Sequence, residues 1–358
     1  MKKIIIITGG SGGHVIPALS IHDHLKESFK VEIVTDNRGT KFINKNNYRF
    51  SLIDVPNLFA NLYILPLNFI KFLISIINSL FYLKKRNIQI LISTGGYMSI
   101  PFCIASYFLG VKIMLFEPNS VLGRANKFML KFSKKIICYD KNIKLLPEKY
   151  RKKILLIDPI LRKEVYLIKK NTNKNLSLKK KLLIIGGSQG AKFFDNNIVK
   201  LISKLSKNIN IELFQQVFDD NQKKIIKKKY DELEITNKLF SFEENLFKEY
   251  SNFDLVITRS GASVISELSY FNVPFIAIPF PYAKDNHQYH NAKYYADNNG
   301  CWIINQNEYD LYKFNEFIIN LFNKKIDYFE KKNNLSKITN QNTWNNVNKK
   351  LVELINEN

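Results

Sequence analysis

Cysteine is scarce in this chain: of 358 residues only Cys103, Cys138 and Cys301 carry a thiol, each in an apolar setting and without metal-ligand spacing. That excludes a disulfide framework and a cysteine-held metal centre, and leaves thiols buried in a protein of a reducing cytoplasm. Acidic residues are also short: 31 Asp and Glu stand against 54 Lys and Arg, a net charge of +23. Residues 1–164 hold 26 basic and 10 acidic side chains (+16), and residues 165–358 hold 28 and 21 (+7). The first half is therefore the part that meets something anionic, with nucleic acid and an acidic membrane surface both open on charge alone. Long apolar runs are few as well. Met1-Lys2-Lys3 before the isoleucines imitates a leader, but the run is short and enters Gly9-Gly10-Ser11-Gly12-Gly13, so it reads as a strand. Residues 62–83 are long and apolar, yet they contain Pro66, Asn68, Lys71 and Asn78, which favours an amphipathic helix over a membrane span.

What is present is a repeated device. Lys3–Thr8 runs into Gly9-Gly10-Ser11-Gly12-Gly13-His14, and Lys181–Ile185 runs into Gly186-Gly187-Ser188-Gln189-Gly190-Ala191. A buried parallel strand that enters glycines and then a helix exposes free backbone N–H groups at a positive helix end, a place for phosphate. Two copies, one near the start of each half, predict two similar α/β domains with a cleft between them. Neither loop is a dinucleotide fingerprint, because Val15 stands where the third glycine belongs and the second loop lacks the spacing; neither has the Gly-Lys-Ser/Thr of a P-loop. Asp36 lies at about the ribose-binding distance, but an Asp at a strand end is common in α/β proteins.

With 46% apolar residues the chain builds real cores, and its length suits two domains. The pattern predicts helix over 15–26 and strands at 31–35, 88–93, 112–116 and 135–138, with a helix from about Ser99. Phe69, Phe72, Leu73, Ile76, Ile77 and Leu80 follow helical spacing opposite Lys71, Ser75, Asn78, Tyr82 and Lys85. More than half of that stripe is expected to pack against the first sheet, the remainder facing a lipid interface. A polar stretch near 164–180 marks the boundary. The expected division is 1–163, an acceptor- and membrane-facing domain; 164–335, a donor-binding domain; and 336–358, a helical tail returning to the first. In the second domain strands are expected at 255–258 and 275–280, with helices at 262–270 and 287–299.

The stretch Arg259–Asn291 is the most specific. It reads Arg-Ser-Gly-Ala-Ser-Val-Ile-Ser-Glu-Leu, then Val273-Pro274, Pro279-Phe280-Pro281-Tyr282 and Asp285-Asn286-His287-Gln288-Tyr289-His290-Asn291. A strand ends at Arg259, a small-residue turn follows, and a helix presents its first N–H groups. Glu267 lies four residues after Ser263 on the same face, where a carboxylate can accept two hydrogen bonds from a ribose diol while the helix start holds a diphosphate.

These motifs, in this order with Thr94-Gly95-Gly96-Tyr97, Pro101, Glu117 and Asn119, closely resemble the MurG family of peptidoglycan glycosyltransferases across nearly the whole chain. The resemblance implies a GT-B fold of two Rossmann-like domains facing a central cleft, and inversion at the anomeric carbon. It implies transfer of N-acetylglucosamine from UDP-GlcNAc to the 4-hydroxyl of undecaprenyl-diphosphoryl-N-acetylmuramyl-pentapeptide. No cofactor and no metal are implied, and no nucleic acid is expected as a partner. The expected location is peripheral, on anionic lipids at the cytoplasmic face of the bacterial inner membrane.

Carried over by position, Ser188, Gln189 and the turn Arg259, Ala262, Ser263, Val264 would hold the UDP diphosphate, and Glu267 the ribose. Phe242-Glu243 resembles the segment that reads uracil, while Gln288, Asn291 and Asn119 would reach the sugar. Gly10, Ser11, Gly12, Gly13 and His14, with Gly95, Gly96 and Tyr97, would cradle the acceptor diphosphate, Ser11, Gly12 and Gly13 being shared with the donor. His14 or Glu117 would take the hydroxyl proton. Three departures stand out: Phe116-Glu117-Pro118-Asn119 replaces His-Glu-Gln-Asn, Val264 replaces a threonine, and Asp158-Pro159-Ile160-Leu161-Arg162 replaces Gly-Asn-Pro-x-Arg, which weakens the carry-over of Arg162. Competing readings are a GT-B enzyme with another lipid acceptor, a UDP-GlcNAc epimerase, and a basic membrane- or nucleic-acid-binding protein.

Overall fold

The computed structural model describes residues 1–56, 65–170, 176–187, 192–243 and 245–357. The chain divides into two compact units, Met1–Tyr166 with Asn342–Asn358, and Leu167–Gln341. The first therefore extends three residues beyond the expected boundary, and the returning segment begins at Asn342 rather than at 336.

Unit 1 is built on seven parallel strands: β1 (Lys3–Ile7), β2 (Lys30–Thr35), β3 (Phe50–Leu52), β4 (Ile90–Ser93), β5 (Lys112–Glu117), β6 (Lys135–Cys138) and β7 (Ile154–Leu156), in the order 3-2-1-4-5-6-7. Helices α1 (Gly12–Leu25), α2 (Leu65–Arg86), α3 (Ser99–Phe108) and α4 (Arg124–Met129) lie between them, and α5 (Lys163–Leu167) carries the chain out. Ile4 to Ile7 are all fully buried, because a parallel strand covered on both faces has no solvent side. Unit 2 repeats the plan with β8 (Lys180–Ile185), β9 (Ile211–Gln216), β10 (Thr236–Phe240), β11 (Leu255–Thr258), β12 (Phe275–Ala277) and β13 (Trp302–Ile303), in the order 10-9-8-11-12-13. Its helices are α6 (Val199–Leu205), α7 (Asp220–Glu232), α8 (Ala262–Tyr270), α9 (His287–Asp297), α10 (Leu311–Lys324) and α11 (Ile326–Ile338).

Strand order reverses between β1 and β4 in one sheet and between β8 and β11 in the other. Open parallel sheets bind ligands outside the carboxyl ends of the strands at such a reversal. The glycine loops after β1 and β8, with the turns after β4 and β11, sit at these points. Ile7 pairs with Ser93 and Ile185 with Thr258, so each pair of loops starts from adjacent residues.

α2 departs from the expectation in its packing. Asn68, Phe72, Ser79 and Leu83 face inward, while Phe69, Ile70, Leu73, Ile74, Ile77 and Phe81 are exposed. The apolar stripe was expected mainly in the core. Instead the inward face uses small and mixed side chains, including Ser79, whose hydroxyl is satisfied by the Ser75 carbonyl at 2.7 Å.

The last helix, α12 (Trp344–Glu357), closes unit 1 by packing on α1. Val347, Leu351, Leu354 and Ile355 are buried with Ala18, Ile21 and Leu25. The His24 ring stacks on Trp344, centroids 3.7 Å apart, and burial pushes its pKa down to about 4, so the imidazole is neutral at pH 7. The Tyr166 hydroxyl lies 2.9 Å from Asn342 Oδ1, tying exit to re-entry. If this helix completes the core, Leu351→Ala costs about 2–5 kcal/mol in denaturant unfolding of the full chain. A change within about 0.5 kcal/mol would make the helix a surface appendage.

Candidate active site

In unit 1 the turn after β1 and the turn after β4 are joined by one side chain. His14 Nδ1 lies 2.7 Å from the Thr94 carbonyl oxygen. A carbonyl only accepts, so Nδ1 carries the hydrogen and the neutral ring leaves Nε2 with a free lone pair. The ring rests on Gly95 and Gly96, whose φ angles are +92° and +85°. A Cβ on Gly95 would stand 3.1 Å from His14 Cε1, so the glycine is needed for backbone conformation and for space. Tyr97 is half-buried, its ring 5.9 Å from Phe72 of α2, which links this turn to the amphipathic helix.

Ser11 is the N-cap of α1, but its hydroxyl makes no capping bond; its carbonyl accepts from the His14 and Val15 N–H groups at 3.0 and 3.1 Å. The N–H groups of Gly12 and Gly13 in the first turn are the ones left over for an anion. Gly10, with φ +83°, and the exposed Ser11 and Gly13 surround them. Asp36, weighed above as a ribose ligand, is instead a strut for this loop: its Oδ1 accepts from Gly10 and Gly39 N–H at 2.9 and 2.8 Å.

Glu117, expected as the alternative proton acceptor to His14, has both carboxylate oxygens engaged within its own turn. It is 3% exposed, and its Oε1 accepts from the Asn119 N–H (3.2 Å) and Asn119 Nδ2 (2.9 Å). Oε2 accepts from the Gly123 N–H (2.7 Å) and Asn126 Nδ2 (3.0 Å). A carboxylate with four donors around it shapes the 117–126 turn and orients the half-buried Asn119. Phe116, the first departure in this segment, is fully buried and packs edge-on against Tyr139 at 5.6 Å, so it fills core and lines no site. Arg162 is half-buried just before α5.

In unit 2 Ser188 and Gln189 lie outside the described residues. Gly187 has φ +63° and donates its N–H to Gln216 Oε1 at 3.0 Å, while Gln216 Nε2 donates to the Ser241 carbonyl at 3.2 Å. Gln216 thus joins the glycine loop to the segment holding the exposed Phe242 and Glu243. Sequence reasoning missed it, along with Asn126; the available signal was a polar residue ending the strand beside β8.

Arg259, whose turn is expected to hold the donor diphosphate through its backbone, has a side chain that braces that turn from within. It is 5% exposed, with Nη1 donating to the Ile278 and Pro279 carbonyls (2.9 and 3.1 Å) and Nη2 to Gln306 Oε1 (2.7 Å). Phe193, Phe194 and Phe280 surround the guanidinium, and burial brings its pKa down to about 10, still charged at pH 7. The turn it supports ends at Gly261, the N-cap of α8, which supplies no capping side chain. The first-turn N–H groups of Ala262, Ser263 and Val264, all partly exposed, are therefore open to an anion. Glu267, a turn further in, is 4% exposed. Gln288 accepts the Phe280 N–H at 3.0 Å through Oε1, leaving its amide N–H groups for another acceptor. Asn291 is buried and donates to the Ser260 carbonyl at 3.1 Å, fixing α9 to the same turn.

The glycosyltransferase family 28 N-terminal domain matches residues 4–138, and the family 28 C-terminal domain matches residues 181–347. A curated relative from Pelagibacter ubique (strain HTCC1062) is 45% identical over 357 residues, covering 100% of this chain and 99% of its own. It is named UDP-N-acetylglucosamine--N-acetylmuramyl-(pentapeptide) pyrophosphoryl-undecaprenol N-acetylglucosamine transferase. The relative of that name from Rickettsia felis is 36% identical, covering 90% of this chain and 91% of its own. The crystal structure of Acinetobacter baumannii MurG superposes with a TM-score of 0.76 at 23% identity, over 100% of both chains, and supports the GT-B fold. The chain belongs to glycosyltransferase family 28 and, within it, to the MurG family.

Proposed function

We propose that this protein transfers N-acetylglucosamine from UDP-GlcNAc to the 4-hydroxyl of the undecaprenyl-diphosphoryl-N-acetylmuramyl-pentapeptide, the step that completes the lipid-linked disaccharide of peptidoglycan. The substrates are those in the names of the full-length relatives. The observation that carries the mechanism is the His14–Thr94 hydrogen bond, which turns Nε2 into a proton acceptor. The muramyl 4-hydroxyl attacks the anomeric carbon with inversion. Its proton passes to His14 Nε2, the bond from C1 to the diphosphate breaks, and the negative charge passes to the β-phosphate of UDP. The open first turn of α8 suits that growing charge, since fixed N–H groups stabilise it without reorganisation. Glu267 is assigned to the ribose diol, Phe242 and Glu243 to uracil, and Gln288, Asn291 and Asn119 to the sugar side, with the last two acting partly through the turns they hold. Gly10–His14 and Gly95–Tyr97 are assigned to the acceptor diphosphate.

The same reading puts unit 1 on the inner membrane surface. α2 is long and apolar enough to cross a membrane by length and composition, but its outward row of Phe69, Ile70, Leu73, Ile74, Ile77 and Phe81 continues into the basic Lys84-Lys85-Arg86 end. A broad apolar face bordered by basic residues fits anionic lipid, whose acyl region can bury the whole row while its headgroups meet the charges.

Two measurements test these assignments. Wild-type protein releases UDP from UDP-GlcNAc only when the muramyl lipid is present, and His14→Ala lowers turnover by roughly 10²–10⁴-fold with UDP affinity retained. UDP release without acceptor, or near-normal turnover of a folded His14→Ala, contradicts the reading. For the membrane, the Ile70→Glu/Ile74→Glu double variant, altered only on the exposed face, sediments with anionic vesicles about tenfold less well than wild type, and salt weakens both. Binding indifferent to the variant and to lipid charge would remove α2 as the contact.

A further inference from the structure

The residue after the Asp36 strut's neighbour is an arginine that none of the assignments above uses. Asp36 directly follows β2 and is almost fully buried; burial alone would raise its pKa, but hydrogen bonds from Gly10, Arg38 and Gly39 outweigh this and hold it below the usual carboxylate range. Its Oδ2 accepts from Arg38 Nε and Nη2 at 2.9 and 2.7 Å. The arginine side chain is nonetheless 66% exposed. Both contacts go to a single oxygen, so the remaining N–H groups of the fork, including both on Nη1, have no partner among the described residues. Nη2 lies 3.7 Å from where a Cβ on Gly10 would stand, so the guanidinium borders the glycine loop with no side chain between them.

We infer that Arg38 is a further ligand of the acceptor's diphosphate, held at the rim of the first glycine loop by Asp36 and working beside the first-turn N–H groups of Gly12 and Gly13. The inference rests on the assignment of that loop to the lipid-linked diphosphate. Three features favour a ligand over a surface ion pair. An exposed pair by itself stabilises little, and Asp36 keeps two backbone donors without the arginine. The carboxylate restrains one edge of the fork, which leaves the other edge ordered in advance for phosphate oxygens. The fork also stands at the open end of α1, where the helix dipole already favours an anion.

The test is steady-state kinetics of the full chain with UDP-GlcNAc and a short-chain, water-soluble diphosphoryl-muramyl-pentapeptide, folding being checked by thermal melting. Arg38→Ala should raise the acceptor KM about tenfold or more, with donor KM and kcat at saturating acceptor within roughly threefold of wild type. Arg38→Lys should recover part of the loss, because an ammonium restores charge without the fork. An unchanged acceptor KM in folded Arg38→Ala, or a fall in kcat alone, overturns the inference. Should Arg38→Ala melt too low to assay, Arg38→Gln carries the same comparison. A wild type that transfers no sugar to this acceptor overturns the proposed function itself, whereas an active wild type indifferent to Arg38 overturns this inference alone.

Discussion

The hydrogen bond from His14 Nδ1 to the Thr94 carbonyl is the constraint on which the first unit's site depends. It crosses the strand-order reversal between β1 and β4, so it both locks two glycine turns together and selects the imidazole tautomer. The bond is available only because Ile7 and Ser93 are paired neighbours, and because Gly95 and Gly96 let the backbone turn under the ring. A side chain at Gly95 would push the ring away, and the lone pair would lose its direction.

Elsewhere the protein uses buried polar side chains for a comparable purpose. Asp36 gathers the Gly10 and Gly39 N–H groups, Glu117 gathers four donors around the 117–126 turn, and Gln216 spans Gly187 and Ser241. In unit 2 Arg259 braces the 278–280 segment from within an aromatic box. Each is a loop-shaping group in a setting where an unsatisfied donor or acceptor costs about 1–3 kcal/mol, so each favours the described turn that supplies its partners. Preformed N–H groups of this kind act without reorganising during the reaction.

Much of the fold was legible because parallel strands buried on both faces read as apolar runs, and those runs end at glycine. β1, β5, β6, β8 and β11 and helices α3 and α8 stand within a residue or so of where the pattern puts them. β12 ends three residues before the expected 280, since Ile278 to Phe280 bend to meet the Arg259 guanidinium and Gln288, a tertiary contact that periodicity does not encode. Sequence alone puts the α2 stripe inward because helical spacing says which residues share a face, not which face meets the sheet. The bracing contacts of Arg259 and Glu117 are hidden from the sequence for a related reason. A charged residue beside a glycine turn looks like a ligand in sequence, and only hydrogen-bond partners and burial reveal that it supports the turn from behind. Arg38, exposed and held on one edge, presents the opposite case and was invisible as a motif.

The central claim is that His14 offers Nε2 as the proton acceptor, and its most direct test is the ring's tautomer. Nitrogen-15 NMR of histidine-labelled protein, with the His14 signals assigned by their loss in His14→Gln, distinguishes a pyrrole-type from a pyridine-type nitrogen. In the neutral ring the account predicts a protonated, pyrrole-type Nδ1 and a bare, pyridine-type Nε2. A neutral His14 carrying its hydrogen on Nε2 would contradict it.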